Sequence, residues 1–289
     1  METLPQHRVS GGPFPGQDAG IDQVDFTVVD LETTGLSADR GDRVCEIGIV
    51  RLRGGAVMET FGTLVDPTIP VSAGAYAVNG ISPAMLAGAP LFPDVAPRLA
   101  ALFSDCVLAA YNAPFDVSFL KSEFRLAGQP VPGNPVVDVL ALARQLLPGR
   151  PRYPQSAVAE LLQISLGVKH RALEDAMVTA KILMHFLSML KAYGYATLGD
   201  LTRRDLTRSI GARRVEKITL ALGTGSDLWI RYLSPSDGEV TQRIVTPIPG
   251  AGTGGPMAEL DAFCHVLQSR KRFRVDYILD IRPVDPARM

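Results

Sequence analysis

Cysteine is scarce in this chain of 289 residues: Cys45, Cys106 and Cys264 stand far apart, with no CxxC pair and no even framework. That excludes a disulfide scaffold and reads as ordinary buried thiols of a reducing compartment. No apolar run approaches the ~20 residues that a membrane span needs. The opening METLPQHRVSGGPFPGQDAG has neither a basic n-region nor an apolar h-region. It is therefore not read as a signal peptide; its Pro and Gly content predicts a flexible leader over residues 1–22, and a cytoplasmic location is expected. An excess of one charge is missing too, since the formal net charge is −1. A nucleic-acid partner would have to be met by a local basic patch rather than by the chain as a whole.

With 46 % apolar and 20 % charged residues, the length leaves room for one sizeable core and a small second domain. Three strands are predicted at VDFTVVDLE, RVCEIGIVRLR and VMETFGTLV, the last two separated by Gly54 and Gly55 as in a tight hairpin. AMLAGAPLFPDVAPRLAALFSD supplies helical material, CVLAAYN a short apolar strand, and FDVSFLKSEFRLAG a helix stopped at Gly128. PVVDVLALARQLL reads as a strand passing into a helix, and QSAVAELLQISLG and LEDAMVTAKILMHFLSMLKAYG as two more helices. Strands alternating with helices predict an α/β domain with a mixed sheet over residues 23–193. A polar, Arg-rich linker or short bridging helix is expected over 194–214. From 215 to 289 the short runs EKITLAL, LWIRYL, VTQRIVTPI, ELDAFC and RFRVDYI predict a small all-β module.

The stretch VVDLETTG places Asp30 and Glu32 inside an apolar strand. Side chains two apart share a strand face, so the two acids lie side by side. The arrangement suits either a hard divalent cation between them or a wet, acidic strand edge. AAYNAPFDVSFL puts Asp116 just beyond a strand, at a helix start where ligands gather in α/β proteins, although a capping role is also open. KHRALEDAMVTA gives His170 and Asp175, with Glu174 adjacent; an acid there is also favoured simply by the helix dipole. Together, four carboxylates and a histidine suit phosphodiester hydrolysis at two metal ions, with the imidazole accepting a proton from water.

These three segments, in this order, resemble the exonuclease motifs of the DEDD superfamily in its His-containing branch. That branch includes the proofreading subunit of bacterial replicative DNA polymerase and several RNA-trimming exonucleases. CEIGIVRLRGG, NGISPAMLAGAPLF and FLKSEF fit the same pattern. The resemblance implies a ribonuclease H-like fold and 3′ to 5′ release of mononucleotides. It makes Asp30, Glu32, Asp116 and Asp175 ligands of two ions, Mg²⁺ or Mn²⁺, and His170 the general base; Glu174 is not a ligand. Thr33, Thr34 and Leu36 would lie beside the terminal nucleotide, with Asn112 steadying the second motif. Turn formation and packing are their alternative roles. The implied partners are single-stranded DNA or frayed 3′ ends, or RNA, and a polymerase or repair protein. Tyr111 and Asn79 stand where many members have His. A silent binding scaffold is the non-enzymatic alternative.

LWIRYL, GEVTQR with the following VTP, and FRVDYI resemble the WYL domain, a small Sm-like or SH3-like β-barrel. The Trp-Tyr-Leu triad that names that family is missing where this chain reads MAELDAF. Within SRKRFR, Arg270, Lys271, Arg272 and Arg274 are candidate nucleic-acid contacts, or else a charged strand edge. Arg203, Arg204, Arg208, Arg213 and Arg214 extend the same two readings. Trp229 and Tyr232 are expected to pack or pair across the sheet rather than stack bases. His185, His265 and His7 have no ligand spacing around them.

Overall fold

The structure is a computed structural model that describes residues 14–147, 149, 152–167, 170–249 and 258–284. Its strands and helices run β1 (Asp25–Thr33), β2 (Val44–Arg53), β3 (Ala56–Leu64), α1 (Ala73–Asn79), α2 (Pro83–Leu86), α3 (Phe92–Leu102), β4 (Cys106–Ala110), α4 (Ala113–Leu126), β5 (Val136–Asp138), α5 (Val139–Leu146), α6 (Gln155–Leu161), α7 (Ala172–Ala192), α8 (Leu198–Leu201), α9 (Leu206–Thr224), β6 (Leu228–Leu233), β7 (Val240–Pro247), β8 (Glu259–Cys264), β9 (Ser269–Arg274) and β10 (Ile278–Pro283). The chain divides into two compact units. The first contains residues 1–140, 162–184 and 196–202; the second contains 141–161, 185–195 and 203–289.

In the first unit, the sheet order is β3-β2-β1-β4-β5. The β1–β2 and β2–β3 pairs are antiparallel, while β1–β4 and β4–β5 are parallel, giving the mixed α/β sheet expected from sequence. Alternation along β1 sorts its side chains. Val29 and Leu31 join Ile47, Ile49, Leu99, Phe119 and Phe124 in the core, and Asp30 and Glu32 take the opposite face. The closely packed rings of Phe92 and Phe124, 5.4 Å apart and edge to face, anchor α3 and α4. Helix α1 begins at Ser72, whose hydroxyl accepts from the Ala75 amide, and ends at Gly80, whose φ of 65° suits glycine. The leader expected over 1–22 lies outside the described residues up to 13. Further on, Ile21 is buried and its amide donates to the Ala196 carbonyl at 2.9 Å. That part is tied down rather than flexible.

The second unit departs from expectation in two respects. EKITLAL is not a strand but the later part of α9, and the domain boundary expected at 214/215 therefore falls inside a helix. Leu206, Ile210, Arg214, Ile218 and Ala221 are its buried positions, at helical spacing, and Gly225 ends it in a left-handed cap. The sheet itself is all antiparallel, in the order β10-β6-β7-β8-β9. Among the described residues no pairing joins β9 to β10, so the structure shows an open sheet where a closed barrel was expected. Tyr232 is buried with its ring 5.0 Å from that of Phe273, edge to face, and Arg282 lies 5.2 Å over the Trp229 ring. Both aromatics pack rather than present free faces. Among the described residues, no helix is long and apolar enough to cross a membrane.

Candidate active site

Three elements, β1, α4 and the start of α7, bring the predicted acids together. Asp30 and Glu32 project from one face of β1, opposite Gly48 and Glu46 of β2 in the strand register. Asp116 stands in the first turn of α4, where Oδ1 accepts the Leu31 amide at 3.1 Å. That bond ties the helix start to the strand between the two β1 acids. Asn112 makes the preceding turn with φ of 68°, a left-handed conformation that asparagine tolerates. Asp175 lies in the first turn of α7, and its Oδ2 accepts the His170 amide at 3.0 Å. Ligand atoms of Glu32, His170 and Asp175 lie within 4.8 Å of one another. Glu174 instead has its carboxylate against Gly167.

The cluster is electrostatically costly. Burial holds the Asp30 carboxyl well above its ordinary range, and the charges of Asp116, Asp175, Glu32 and Glu46 push it further. Glu32 is pushed up to about 7, first by burial and then by Glu46 and Asp175; a hydrogen bond from Asn79 and the charge of Arg171 oppose the shift. Burial likewise carries Asp116 to about 8 against the pull of its own and the Leu31 backbone amides. Asp175 is raised by burial, with His170 pulling the other way. Several oxygen donors held together at this cost match what a hard divalent cation requires, so the residues present fit a metal centre.

The surrounding turn is built by bonds that the sequence alone left hidden. Glu123, 2 % exposed, grips the Arg43 guanidinium with both oxygens at 2.8 Å and accepts the Val44 amide at 3.0 Å. Arg43 in turn pairs with Thr34 through its amide and carbonyl. Thr34 is 1 % exposed and its hydroxyl is engaged there, which suits turn formation rather than contact with a nucleotide. The Thr33 hydroxyl donates to the Gly35 carbonyl at 2.6 Å, whereas Leu36 is 87 % exposed beside them. Asn79 is buried, donates to the Thr33 carbonyl at 3.3 Å and accepts the Ile81 amide at 3.0 Å. Two further carboxylates escaped the sequence reading. Glu46 sits in the apolar run CEIGIV, the same signal that singled out Asp30. Asp138, the last residue of β5, accepts the Leu140 amide at 3.0 Å and the Ala113 amide of α4 at 3.4 Å, and its charge acts on Asp116.

The basic residues of the second unit are largely engaged. Arg270 and Arg272 both pair with Asp261, at 3.1 and 3.2 Å, Arg272 also reaches Glu259, and Arg274 pairs with Asp276 at 2.6 Å. Lys271 is exposed between them. Arg203 pairs with Asp205 and Arg213 with Glu216; Arg214 is buried, with Nε donating to the Tyr193 hydroxyl at 3.3 Å. Arg204 and Arg208 are exposed. His265 bonds to Thr246 at 2.8 Å, burial lowers the pKa of His185, and His7 lies outside the described residues.

The family model for exonucleases, RNase_T, matches residues 27–183, more than half of the chain. A DNA polymerase III PolC-type protein of Caldanaerobacter subterraneus subsp. tengcongensis is 36 % identical over 191 residues, covering 66 % of this chain and 14 % of that protein. A DNA polymerase III subunit epsilon-like protein of Rhodobacter capsulatus is 36 % identical over 193 residues, covering 65 % of this chain and 27 % of the relative. The chain thus spans only a small part of these relatives. Among solved structures, exonuclease X in complex with 5′ overhanging duplex DNA superposes with a TM-score of 0.50 at 26 % identity, covering 63 % of this chain and 99 % of the other. The matched segment holds every member of the carboxylate cluster, and the chain belongs to the exonuclease family.

Proposed function

We propose that the chain is a metal-dependent 3′ to 5′ exonuclease of the His-containing DEDD branch, acting on single-stranded or frayed 3′ ends of DNA. The observation that carries this reading is the convergence of Asp30, Glu32, Asp116 and Asp175, all with raised pKa, beside His170. The four carboxylates would hold two divalent ions, Mg²⁺ or Mn²⁺. Such ions, when bound, offset the mutual repulsion of the acids and supply charge stabilisation to a reacting phosphodiester. His170 is exposed, next to Asp175, with its backbone held by the Asp175 carboxylate. There it accepts the proton of the attacking water. Leu36, exposed at the turn where the Thr33 and Thr34 hydroxyls are engaged, would receive the terminal nucleotide, which leaves as a nucleoside monophosphate. DNA is favoured as substrate because the similar proteins include DNA polymerase III relatives and an exonuclease in complex with 5′ overhanging duplex DNA. A polymerase partner is read from the same relatives.

Residues 215–289 we read as a WYL-like module on the strength of LWIRYL, GEVTQR and FRVDYI alone, since the sheet is open and the naming triad is missing; its role would be to grip nucleic acid or to sense a ligand. The test compares wild type with His170→Ala on single-stranded DNA and RNA of one sequence. Lower kcat on DNA with nearly unchanged Mn²⁺ affinity supports the assignment. Equal loss of both makes His170 a ligand, faster turnover of RNA makes the chain a ribonuclease, and no turnover by wild type leaves a binding scaffold.

A further inference from the structure

Glu46 is a fifth carboxylate at a site already crowded with like charge, and its bonds run to the start of α7. In the three-stranded register, Glu32, Glu46 and Leu64 form one row and Asp30, Gly48 and Gly62 the next, all on the same sheet face. The start of α7 lies across these rows. A Cβ on Gly48 would overlap the Ala172 carbonyl and the Leu173 amide nitrogen, and one on Gly62 would meet the Leu173 side chain at 3.2 Å. Two glycines therefore let the helix backbone settle directly on the strands. At the end of this groove, Glu46 Oε2 accepts from the Ala172 amide at 3.4 Å and from Arg171 Nη1 at 3.5 Å. The Ala172 amide is one of the donors that a helix start leaves without an intrahelical partner, and the carboxylate meets the positive end of the dipole.

From this geometry we infer that Glu46 is a positioning residue that latches the start of α7 onto β2, and so brings His170 and Asp175 to Glu32. Arg171 and the helix terminus offset its charge, so it needs no metal to be held there. The inference rests on the proposed nuclease reading for its activity readout alone.

The test compares Glu46→Ala and Glu46→Gln in the full chain, by amide hydrogen exchange of the first turn of α7 in chelator, Mn²⁺ titration calorimetry, and single-turnover cleavage of single-stranded DNA. Gln retains an oxygen that can accept both bonds. Glu46→Ala should speed exchange at Ala172 and lower turnover about 10- to 100-fold, the usual effect of losing a group that orients a metal ligand. Glu46→Gln should restore protection and most of the turnover. Equal loss of Mn²⁺ affinity in both variants, with Ala172 still protected, would make Glu46 a ligand and overturn the inference. Unchanged exchange in Glu46→Ala would overturn it as well. If wild type cleaves nothing, the nuclease reading falls while the exchange comparison still decides the latch.

Discussion

Replacing Asp116 by Asn should stabilise the metal-free protein while it removes a metal ligand. Asp116 is buried, and its carboxyl is raised from an ordinary value of 3.8 to about 8. Asn keeps an oxygen for the Leu31 amide and carries no charge. Below about pH 4 both the folded and the unfolded wild type hold the proton, so the two proteins should differ little. As pH rises, the unfolded chain releases its proton first, and wild type loses about 1.4 kcal/mol per unit relative to Asp116→Asn until the folded carboxyl titrates too. At pH 7 the gap should approach ~4 kcal/mol in favour of Asn, and above about pH 8 it should level off. Urea unfolding in EDTA at several pH values between 5 and 8 measures it. Adding Mn²⁺ should then narrow the gap at pH 7 to roughly 1–2 kcal/mol, because a hundredfold excess over Kd stabilises wild type by about 2.7 kcal/mol and the variant by much less. Stability curves that stay parallel across this range would refute the reasoning, since they would mean that Asp116 is not buried against other charges.

Gly48→Ala should drive a methyl into the Ala172 carbonyl, destabilise the protein by about 1–3 kcal/mol and lower turnover, because α7 must lift; chemical denaturation beside a cleavage assay reads both. Changing Arg270, Lys271 and Arg272 together to Gln should shift the salt dependence of single-strand binding by only about 0.7 in log-log slope, the share of one cation, because Asp261 and Glu259 already engage the two arginines. A change near three times that, in fluorescence titrations at several salt concentrations, would show the pairs opening to bind phosphates.

What the sequence revealed follows from the range of each interaction. Asp30 and Glu32 were legible because two acids two apart in an apolar strand contradict their surroundings locally. Asp116 and Asp175 were legible because each begins a helix at a recognisable boundary. Glu46 was not assigned a role, since its partners Arg171 and Ala172 lie far along the chain and its purpose appears only when α7 crosses β2. SRKRFR looked like a free basic cluster because Asp261, which engages two of its arginines, is contributed by the neighbouring strand β8. EKITLAL alternates apolar residues as a strand does. The buried series Ile210, Arg214, Ile218 and Ala221 shows that a longer helical period governs it, with an arginine hiding the stripe.

The central claim is that the carboxylate cluster is a metal-dependent hydrolytic centre working from the 3′ end, and cleavage of end-labelled single-stranded DNA by wild type and Asp30→Asn tests it most directly. With Mn²⁺, wild type should release label from 3′-labelled strands as mononucleotide from the first turnover, while 5′-labelled strands shorten stepwise; EDTA or Asp30→Asn should abolish both. Release that persists in EDTA, or that Asp30→Asn leaves intact, would contradict the account.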